Sequence, residues 1–568
     1  MTPPCPIEAL EPFEAFSAAL AELSRLAEAR FTTPTPREQP FVAPAAALDR
    51  ALVVLPDELP EHGLGLSRTT RVLLDDVAPA LNPGQAGSRY FGFVTGGVLP
   101  SAAVADQLVT ILDANVQVHL PTETVATLVE VHALKLTLSL LSLPVQRWTG
   151  TVTTGATSSN VLALACGRDA VLKRAMAARG HADWDMAEDG LADAPAVTVY
   201  VALPHASIKK AAAIVGIGRA RVVDLGQRVS VADSATAEQL ARARAAALDF
   251  DLDALEVRLA ADSAAKQGAI VVVGMSEVNT GALAAQTPAL RQLCDRYGAW
   301  LHIDAAFGAF ASLVPGFEWV AEHLNLADSI TSDAHKQLNV PYDCGLLFVQ
   351  RHSPTAHHSP LDELCGPGRG SAPAYLAAPP KEEGEGSTDP VLAARREYLG
   401  ALPSPLFRNI ENSRRFRALP LYAVLLSQGR EGFRELVLRN VAFARRLEAW
   451  LRAEPCFDVL TPQCDAPKPD VSGPQPWCGA WGYTIVLFAA SSEAPTCFRG
   501  EGGGARLAQA IKDTQLVYMS ATVWGGQRAV RAAISNWSTG TGSEDLDFTV
   551  TTEALRTVMR KAASSAVA

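Results

Sequence analysis

Short apolar runs alternate with helical patterns between about residues 150 and 350. Strands that are apolar throughout and separated by helices are typical of a mostly parallel sheet covered on both faces. In such a sheet, ligands bind outside the carboxyl ends of the strands. The pattern therefore predicts an α/β domain whose strands are TGTVTTG, AVTVYVAL, RARVVDL, AIVVVGM, AWLHID, DSIT and CGLLFVQ.

The residues before this region show helical spacing and no strand pattern. Apolar residues from Phe13 to Ala27 recur at spacings of three and four, which predicts a helix that ends at a proline-rich break near residue 33. Further helical patterns follow at about 46–55, 66–78 and 101–117. Because a helical arm cannot close a core alone, residues 1–115 are predicted to be a dimerisation segment, and the protein a homodimer.

The remaining residues divide into a loop-like segment and a mixed segment. Residues 353–405 are rich in Gly, Pro, Ser and charge, which predicts an active-site loop or a disordered insert. Residues 406–568 combine helical patterns with the candidate strands GYTIVLF and LVYMSATV, as in a small α+β domain. We therefore expect three domains, at 1–115, 116–405 and 406–568.

Composition and charge exclude several functions. Of the 568 residues, 48% are hydrophobic and 19% charged, as in ordinary globular proteins, and the net charge of −11 disfavours nucleic-acid binding. No apolar run is long enough to span a bilayer, and the N-terminus lacks a secretory signal pattern, so we expect a cytoplasmic protein without a membrane partner. The nine cysteines are scattered without metal-ligand spacing, so no metal site is predicted.

Polar residues follow four of the predicted strands. Residues 153–160 place small hydroxyl residues and a glycine at a helix N-terminus, which either binds a phosphate or simply caps the helix. His205 follows the next strand, where its ring either stacks on an aromatic ligand or is structural. Asp304 ends a buried strand, where a carboxylate is costly unless it pairs with a cation or a protonated ligand. Lys336 precedes an apolar run, and it is either an ordinary surface charge or an amine that acts as a nucleophile toward an aldehyde.

These four features fit one ligand, pyridoxal 5'-phosphate (PLP). This cofactor needs a phosphate grip, a clamp on its ring, a partner for its pyridinium nitrogen and an amine that forms a Schiff base. A nicotinamide dehydrogenase is disfavoured, because no Gly-x-Gly-x-x-Gly follows any predicted strand. The sequence therefore predicts a PLP enzyme.

Four motifs carry a resemblance to a known family. TGATSSNVLAL, HASIKKAA, HIDAAFGAF and ADSITSDAHKQLNVPYDCG resemble the group II PLP-dependent decarboxylases, which act on aromatic amino acids, glutamate, histidine and diaminobutyrate. SRYFGFVTGGVLPSAAVAD and ENSRRFRALPLYAVLLSQGREG are also similar to that family, so the resemblance covers about residues 90–440. It implies a type I aminotransferase-like fold, a homodimer, and a helical N-terminal segment that exchanges contacts.

The resemblance also implies roles for individual residues. Lys336 would hold the cofactor as an internal aldimine, Asp304 would keep its ring nitrogen protonated, and His205 would stack on the ring, so these three are the predicted catalytic residues. Thr95 would face the substrate carboxylate. The implied cofactor-binding set is Ala156, Thr157, His205, Asp304, Ala306, Asp333, His335 and Lys336. The implied reaction is decarboxylation of an L-amino acid, possibly aromatic, to an amine.

Two departures from the family keep other reactions open. Ser276-Glu277-Val278-Asn279-Thr280-Gly281 replaces the usual Gly-Thr-Thr stretch, which predicts that Glu277 lies near the ring or the substrate. The aromatic-amino-acid branch also has a loop tyrosine that protonates the intermediate, but residues 399–413 contain none, and Tyr375 and Tyr398 are the loop candidates. In that branch, loss of this tyrosine is associated with aldehyde production. An aldehyde-forming decarboxylase, a carbon–carbon lyase or aldolase, an aminotransferase and a catalytically silent relative therefore remain alternatives.

Overall fold

Two compact units make up the fold. The computed structural model describes residues 13–32, 35–82, 84–227, 248–353, 359–368, 389–461, 483–542 and 545–565. The large unit comprises Val98–Leu438 and Leu460–Ile485, and the small unit comprises Met1–Gly97, Arg439–Val459 and Val486–Ala568. This division follows compactness, whereas the predicted boundaries after residues 115 and 405 follow changes in composition. The three-domain division stays a prediction.

The secondary structure alternates strands and helices through the central region. Twelve strands occur in the described residues: β1 (Tyr90–Phe91), β2 (Trp148–Thr153), β3 (Val197–Val201), β4 (Val222–Asp224), β5 (Gly268–Gly274), β6 (Trp300–Asp304), β7 (Ser329–Asp333), β8 (Gly345–Gln350), β9 (Phe457–Val459), β10 (Ile485–Ala490), β11 (Tyr518–Trp524) and β12 (Gln527–Ala533). The described α-helices span Phe13–Phe31, Ala45–Val54, Gly65–Arg71, Pro100–Ile111, Ala126–Leu140, Ala156–Ala178, Met186–Asp189, Ala206–Ile214, Leu252–Ala264, Thr287–Tyr297, Trp319–Leu324, Ala334–Gln337, Pro360–Cys365, Pro390–Gly400, Ala418–Ala453, Gly503–Asp513 and Leu546–Ser565. No described helix is both long and apolar enough to cross a membrane.

The large unit contains the predicted parallel sheet. All seven predicted strands form one sheet in the order β2-β8-β7-β6-β5-β3-β4. Strand β8 is antiparallel to β2 and β7, and the pairs among β3 to β7 are parallel. The predicted α/β fold with a mostly parallel sheet is confirmed.

Helices cover both faces of this sheet, which explains why its strands are apolar throughout. Ile270, Val272 and Leu347 are at most 1% exposed, and each such side chain contributes about 1.5–3 kcal/mol by leaving water. Helix Ala156–Ala178 packs on strands β5 to β8. It approaches closely at Gly167, where a Cβ atom would lie 2.8 Å from the Trp300 ring. This close approach fixes the position of the helix N-terminus relative to the strand ends.

The small unit contains a second, mixed sheet in the order β1-β11-β12-β10-β9. Strand β1 pairs with β11 in parallel, whereas β11 with β12 and β9 with β10 are antiparallel. The expectation that no strand precedes residue 115 was wrong, because β1 has only two residues and shows no periodicity. The helix expected at 101–117 ends at Ile111, and Asp113 follows with φ at 46°, which no right-handed helix contains.

Candidate functional site

The four sequence features lie where the strands of the large sheet end. Strand β2 leads into helix Ala156–Ala178, β3 precedes His205, β6 ends at Asp304, and β7 ends at Asp333. In the parallel register Asp304 pairs with Gly274 and Thr331, so these carboxyl ends form one edge. The structure therefore brings the predicted residues together at the position where such sheets bind ligands.

The predicted nucleophile and the helix N-terminus share one carboxylate. The Lys336 ammonium lies 2.9 Å from Asp333 Oδ2, and the Ala156 backbone amide donates to Asp333 Oδ1 over 2.7 Å. His335 Nε2 lies 3.5 Å from Asp333 Oδ2, and burial lowers the pKa of this histidine. Asp333 therefore positions Lys336 against the first turn of the helix.

The first helical turn offers backbone donors for an anion. The amide of Ser159 donates to the Gly155 carbonyl, while the amides of Thr157 and Ser158 have no acceptor among the described residues. The turn is supported from β8, where a Cβ atom on Gly345 would lie 2.5 Å from the Gly155 backbone. Since amides at a helix N-terminus attract phosphate, this turn fits the phosphate of PLP.

Two further groups fit the ring of the cofactor. Asp304 is partly exposed, and its Oδ2 accepts a hydrogen bond of 2.8 Å from Asn160 Nδ2. His205 is exposed, and its Nδ1 lies 2.7 Å from Ser207 Oγ. At the same strand ends, buried Ser276 Oγ and Gln337 Nε2 have no hydrogen-bond partner within the described structure. The donor set and these unpaired polar atoms are compatible with PLP.

Glu277 is fully engaged within its own turn. Its carboxylate accepts four hydrogen bonds of 2.7–2.9 Å, from the backbone and side chains of Asn279 and Thr280. Burial raises the pKa of Glu277, while these bonds act in the opposite direction. The contacts indicate that the carboxylate organises the turn, and its predicted place near the substrate stays a prediction.

Replacing Glu277 by alanine should therefore destabilise the protein. We expect the free energy of unfolding of the apo form to fall by about 3 kcal/mol, because two backbone amides and two side-chain donors lose a charged acceptor. Urea denaturation measures this loss, and Glu277→Gln, which retains one acceptor oxygen, should lose less. A raised KM with an unchanged unfolding free energy would instead place Glu277 at the substrate.

Stability should also depend on pH through a buried histidine. Burial lowers the pKa of His302 to about 4, whereas an unfolded histidine titrates near 6.5. The unfolded chain thus binds the proton first as the pH falls, so stability falls between these values, by up to about 1.4 kcal/mol per pH unit. We expect His302→Gln to lose less stability than the wild type when urea denaturation is repeated at about pH 5 instead of pH 7. Equal losses would contradict this assignment.

The candidate tyrosines differ in their surroundings. Tyr375 lies outside the described residues, and the Tyr398 hydroxyl accepts from the Lys135 ammonium, which also lies 4.5 Å from the Tyr398 ring centre. A third tyrosine, Tyr483, lies near the site, although the sequence pattern does not predict this. Tyr483 is buried, its hydroxyl donates to Gln337 Oε1 beside Lys336, and its ring lies 5.4 Å from Phe307. Its place after a poorly patterned segment gave no signal that it would reach the site.

Thr95, which is predicted to face the substrate carboxylate, has a buried hydroxyl. Thr95 belongs to the small unit, where it is 7% exposed, and its hydroxyl has no hydrogen-bond partner among the described residues. A buried hydroxyl without a partner is costly, which is compatible with a ligand contact. Its role toward the substrate carboxylate stays a prediction.

Comparisons with known proteins agree with the motifs. The pyridoxal-dependent decarboxylase conserved domain matches residues 252–362. A 3,4-dihydroxyphenylacetaldehyde synthase of Aedes aegypti is 26% identical over 170 residues, which are 30% of this chain and only 27% of that protein. Tryptophan decarboxylase 1 of Oryza sativa subsp. japonica is 24% identical, over 85% of this chain and 84% of that protein.

A solved structure extends the similarity to the whole fold. The crystal structure of Oryza sativa TDC with PLP and tryptamine has a TM-score of 0.71 at 20% sequence identity, covering 98% of this chain and 99% of that one. The predicted type I fold and the predicted cofactor class are confirmed by these matches. The match to the pyridoxal-dependent decarboxylase domain and the similar relatives confirm the resemblance that the sequence motifs show to these decarboxylases.

Proposed function

We propose that this protein is a carboxy-lyase that decarboxylates an L-amino acid to its amine, with an aromatic side chain favoured. The observation that carries the proposal is the joint placement of Lys336, Asp304 and His205 around the first turns of helix Ala156–Ala178. The aromatic preference rests on the Oryza relative, which is a tryptophan decarboxylase.

Each residue of the site would act through its own chemistry. When bound, PLP supplies an electron sink for the electrons of the broken Cα–carboxylate bond. Lys336 would supply the amine that bonds to the cofactor aldehyde, and Asp333 lies 2.9 Å from this amine and holds it in place. Asp304 would keep a proton at the ring nitrogen, and His205 would stack on the ring. The amides of Thr157 and Ser158 would bind the phosphate.

A second candidate reaction is supported by two observations. Residues 399–413 contain no tyrosine, and the Aedes aegypti relative is an aldehyde synthase. If no group returns a proton to the substrate carbon after decarboxylation, molecular oxygen could take two electrons from it and leave as hydrogen peroxide. Water would then replace the nitrogen, so that ammonia and an aldehyde are released. Amine formation is the favoured reaction because a phenol that could return this proton lies near the site. The buried Tyr483 hydroxyl donates to Gln337, the residue that follows Lys336 in the sequence.

One assay distinguishes these reactions. The purified protein with PLP is incubated with tryptophan, tyrosine, phenylalanine, glutamate and diaminobutyrate, and carbon dioxide, amine, aldehyde and hydrogen peroxide are measured. Carbon dioxide and amine in equal amounts support the proposal, and aldehyde with peroxide supports the second candidate. No carbon dioxide from any substrate would contradict both and favour transamination, carbon–carbon cleavage or a silent relative.

The proposal includes a homodimer in the cytoplasm. Helix Phe13–Phe31 exposes Phe16, Leu20 and Leu23 by 42–47%, on one stripe. A large apolar stripe on a soluble protein usually marks an interaction surface, and a second copy is its proposed occupant. Light scattering after size exclusion should give twice the chain mass of 60.1 kDa, and a single-chain mass would contradict the dimer.

A further inference from the structure

A line of buried side chains lies directly behind Asp304. Asn160 Nδ2 donates to Asp304 Oδ2 over 2.8 Å, and Asn160 Oδ1 lies 3.0 Å from His302 Nε2. His302 Nδ1 is 2.9 Å from Ser329 Oγ, which accepts a bond of 2.9 Å from Trp300 Nε1. Asn160, His302 and Ser329 have no measurable exposure. The five side chains thus form one uninterrupted hydrogen-bonded series.

The groups at the two ends of this series determine which atom donates in each of its hydrogen bonds. The Asp304 carboxylate only accepts, so Asn160 must present its NH2 group there and its oxygen to His302. His302 must then carry its proton on Nε2. Its Nδ1 accepts from the Ser329 hydroxyl, which lies closer than the Ser329 carbonyl at 3.2 Å. The indole of Trp300 only donates, so it fixes the other end.

The second hydrogen of the Asn160 amide connects Asn160 through Ser207 to His205, the other side chain proposed to hold the cofactor ring. Asn160 Nδ2 lies 3.2 Å from Ser207 Oγ, and Ser207 Oγ lies 2.7 Å from His205 Nδ1. Since the Ser207 hydroxyl accepts from Asn160, its own hydrogen is free to donate to His205 Nδ1. The Ser207 backbone amide also donates to His205 Nδ1 over 3.2 Å, so Nδ1 acts as an acceptor and the ring is held with its N–H at Nε2. One amide therefore reaches both Asp304 and His205.

We propose that Asn160 is a positioning residue that sets the orientation of Asp304 and of His205 together, and that His302 determines the direction in which its amide points. The proposal rests on the cofactor part of the proposed function, because Asp304 and His205 matter here as groups that hold PLP. A purely structural network would satisfy buried polar atoms among themselves. This one ends on a partly exposed carboxylate and on an exposed imidazole, both at the strand ends.

The test measures PLP binding by the apo protein, by quenching of tryptophan fluorescence. Asn160→Ala removes a donor to a charged group, so the PLP dissociation constant should rise about 10-fold or more. His302→Leu should produce a comparable rise although His302 does not contact the cofactor. His302→Gln should stay within about threefold of wild type, because its amide NH2 can replace the Nε2 donor. The double variant Asn160→Ala/His302→Leu should bind PLP no more weakly than Asn160→Ala alone, since the series is already interrupted.

The matched control is Asn409, another buried asparagine of the large unit, which donates to Thr151 Oγ1 and the Val152 carbonyl. Asn409→Ala should lower the apo melting temperature but leave PLP affinity within about twofold. Should His302→Leu fail to fold, His302→Gln and Asn160→Ser carry the test. Wild-type PLP affinity in folded His302→Leu, additive losses in the double variant, or an equal affinity loss in Asn409→Ala would overturn the proposal. Absence of carbon dioxide release with these affinity changes intact would contradict the proposed reaction and leave this inference standing.

Discussion

Replacing Lys336 by alanine should abolish carbon dioxide release and the visible absorption band of the cofactor that is covalently attached to the protein. Lys336 is the amine held at 2.9 Å from Asp333, and among the described residues it is the lysine that contacts the carboxylate at the helix N-terminus. Alanine cannot bond to the cofactor aldehyde, so we expect a loss of at least about 10³-fold in kcat. Carbon dioxide release with an aromatic amino acid measures the activity, and absorption spectra measure the cofactor.

The control for this variant is Lys210→Ala. Lys210 is an exposed lysine on helix Ala206–Ile214 of the same unit, and its removal should leave kcat and the spectrum unchanged. Lys336→Ala should also retain noncovalent PLP binding, because the helix N-terminus, Asp304 and His205 are intact. Residual activity within tenfold of the wild type would show that another amine serves the reaction, and the assignment of Lys336 would be wrong.

The central sheet is predictable because strands that are buried on both faces appear in the sequence as continuous apolar runs. Apolar runs predict all seven strands, and the residues at their ends are predicted to share a site because parallel strands end at one edge. Strand β1 was missed because two residues carry no periodicity. Its pairing with β11 joins positions more than 400 residues apart, which a local pattern cannot indicate.

The residues behind the site were not predictable for a similar reason. Asn160 and Asp304 are 144 positions apart, and Asn160 alone is indistinguishable from an ordinary polar residue in the first turns of a helix. His302 precedes Asp304 by two residues, so a shared face was evident, but its bond to Asn160 depends on how the helix packs on β6. Glu277 shows the opposite case, since its sequence position suggested a ligand contact and its four bonds lie within its own turn.

Replacing Asp304 by asparagine should cost about 100- to 1,000-fold in kcat, the second largest effect. The side chain keeps its shape, but it loses the negative charge that we propose stabilises a proton at the ring nitrogen. The Asn160 amide, which now donates to Asp304 Oδ2, would face either an oxygen without charge or a second NH2 group. The PLP dissociation constant should therefore rise together with the fall in kcat. Asp304→Glu, which restores the charge at a displaced position, should recover part of the loss in kcat.

The control for this variant is Asp251→Asn, which makes the same change from carboxylate to amide outside the candidate site. Asp251 caps helix Leu252–Ala264 by accepting from the Ala254 amide, and asparagine caps helices as well as aspartate does. Asp251→Asn should thus leave kcat, PLP affinity and stability close to the wild type. If Asp304→Asn behaves like Asp251→Asn, ring protonation does not depend on this carboxylate. If it instead lowers kcat with unchanged PLP affinity, Asp304 acts in the reaction but does not hold the cofactor. If the Asp304 carboxylate is oriented by Asn160 and pairs with the ring nitrogen, Asp304→Asn should lower both kcat and PLP affinity.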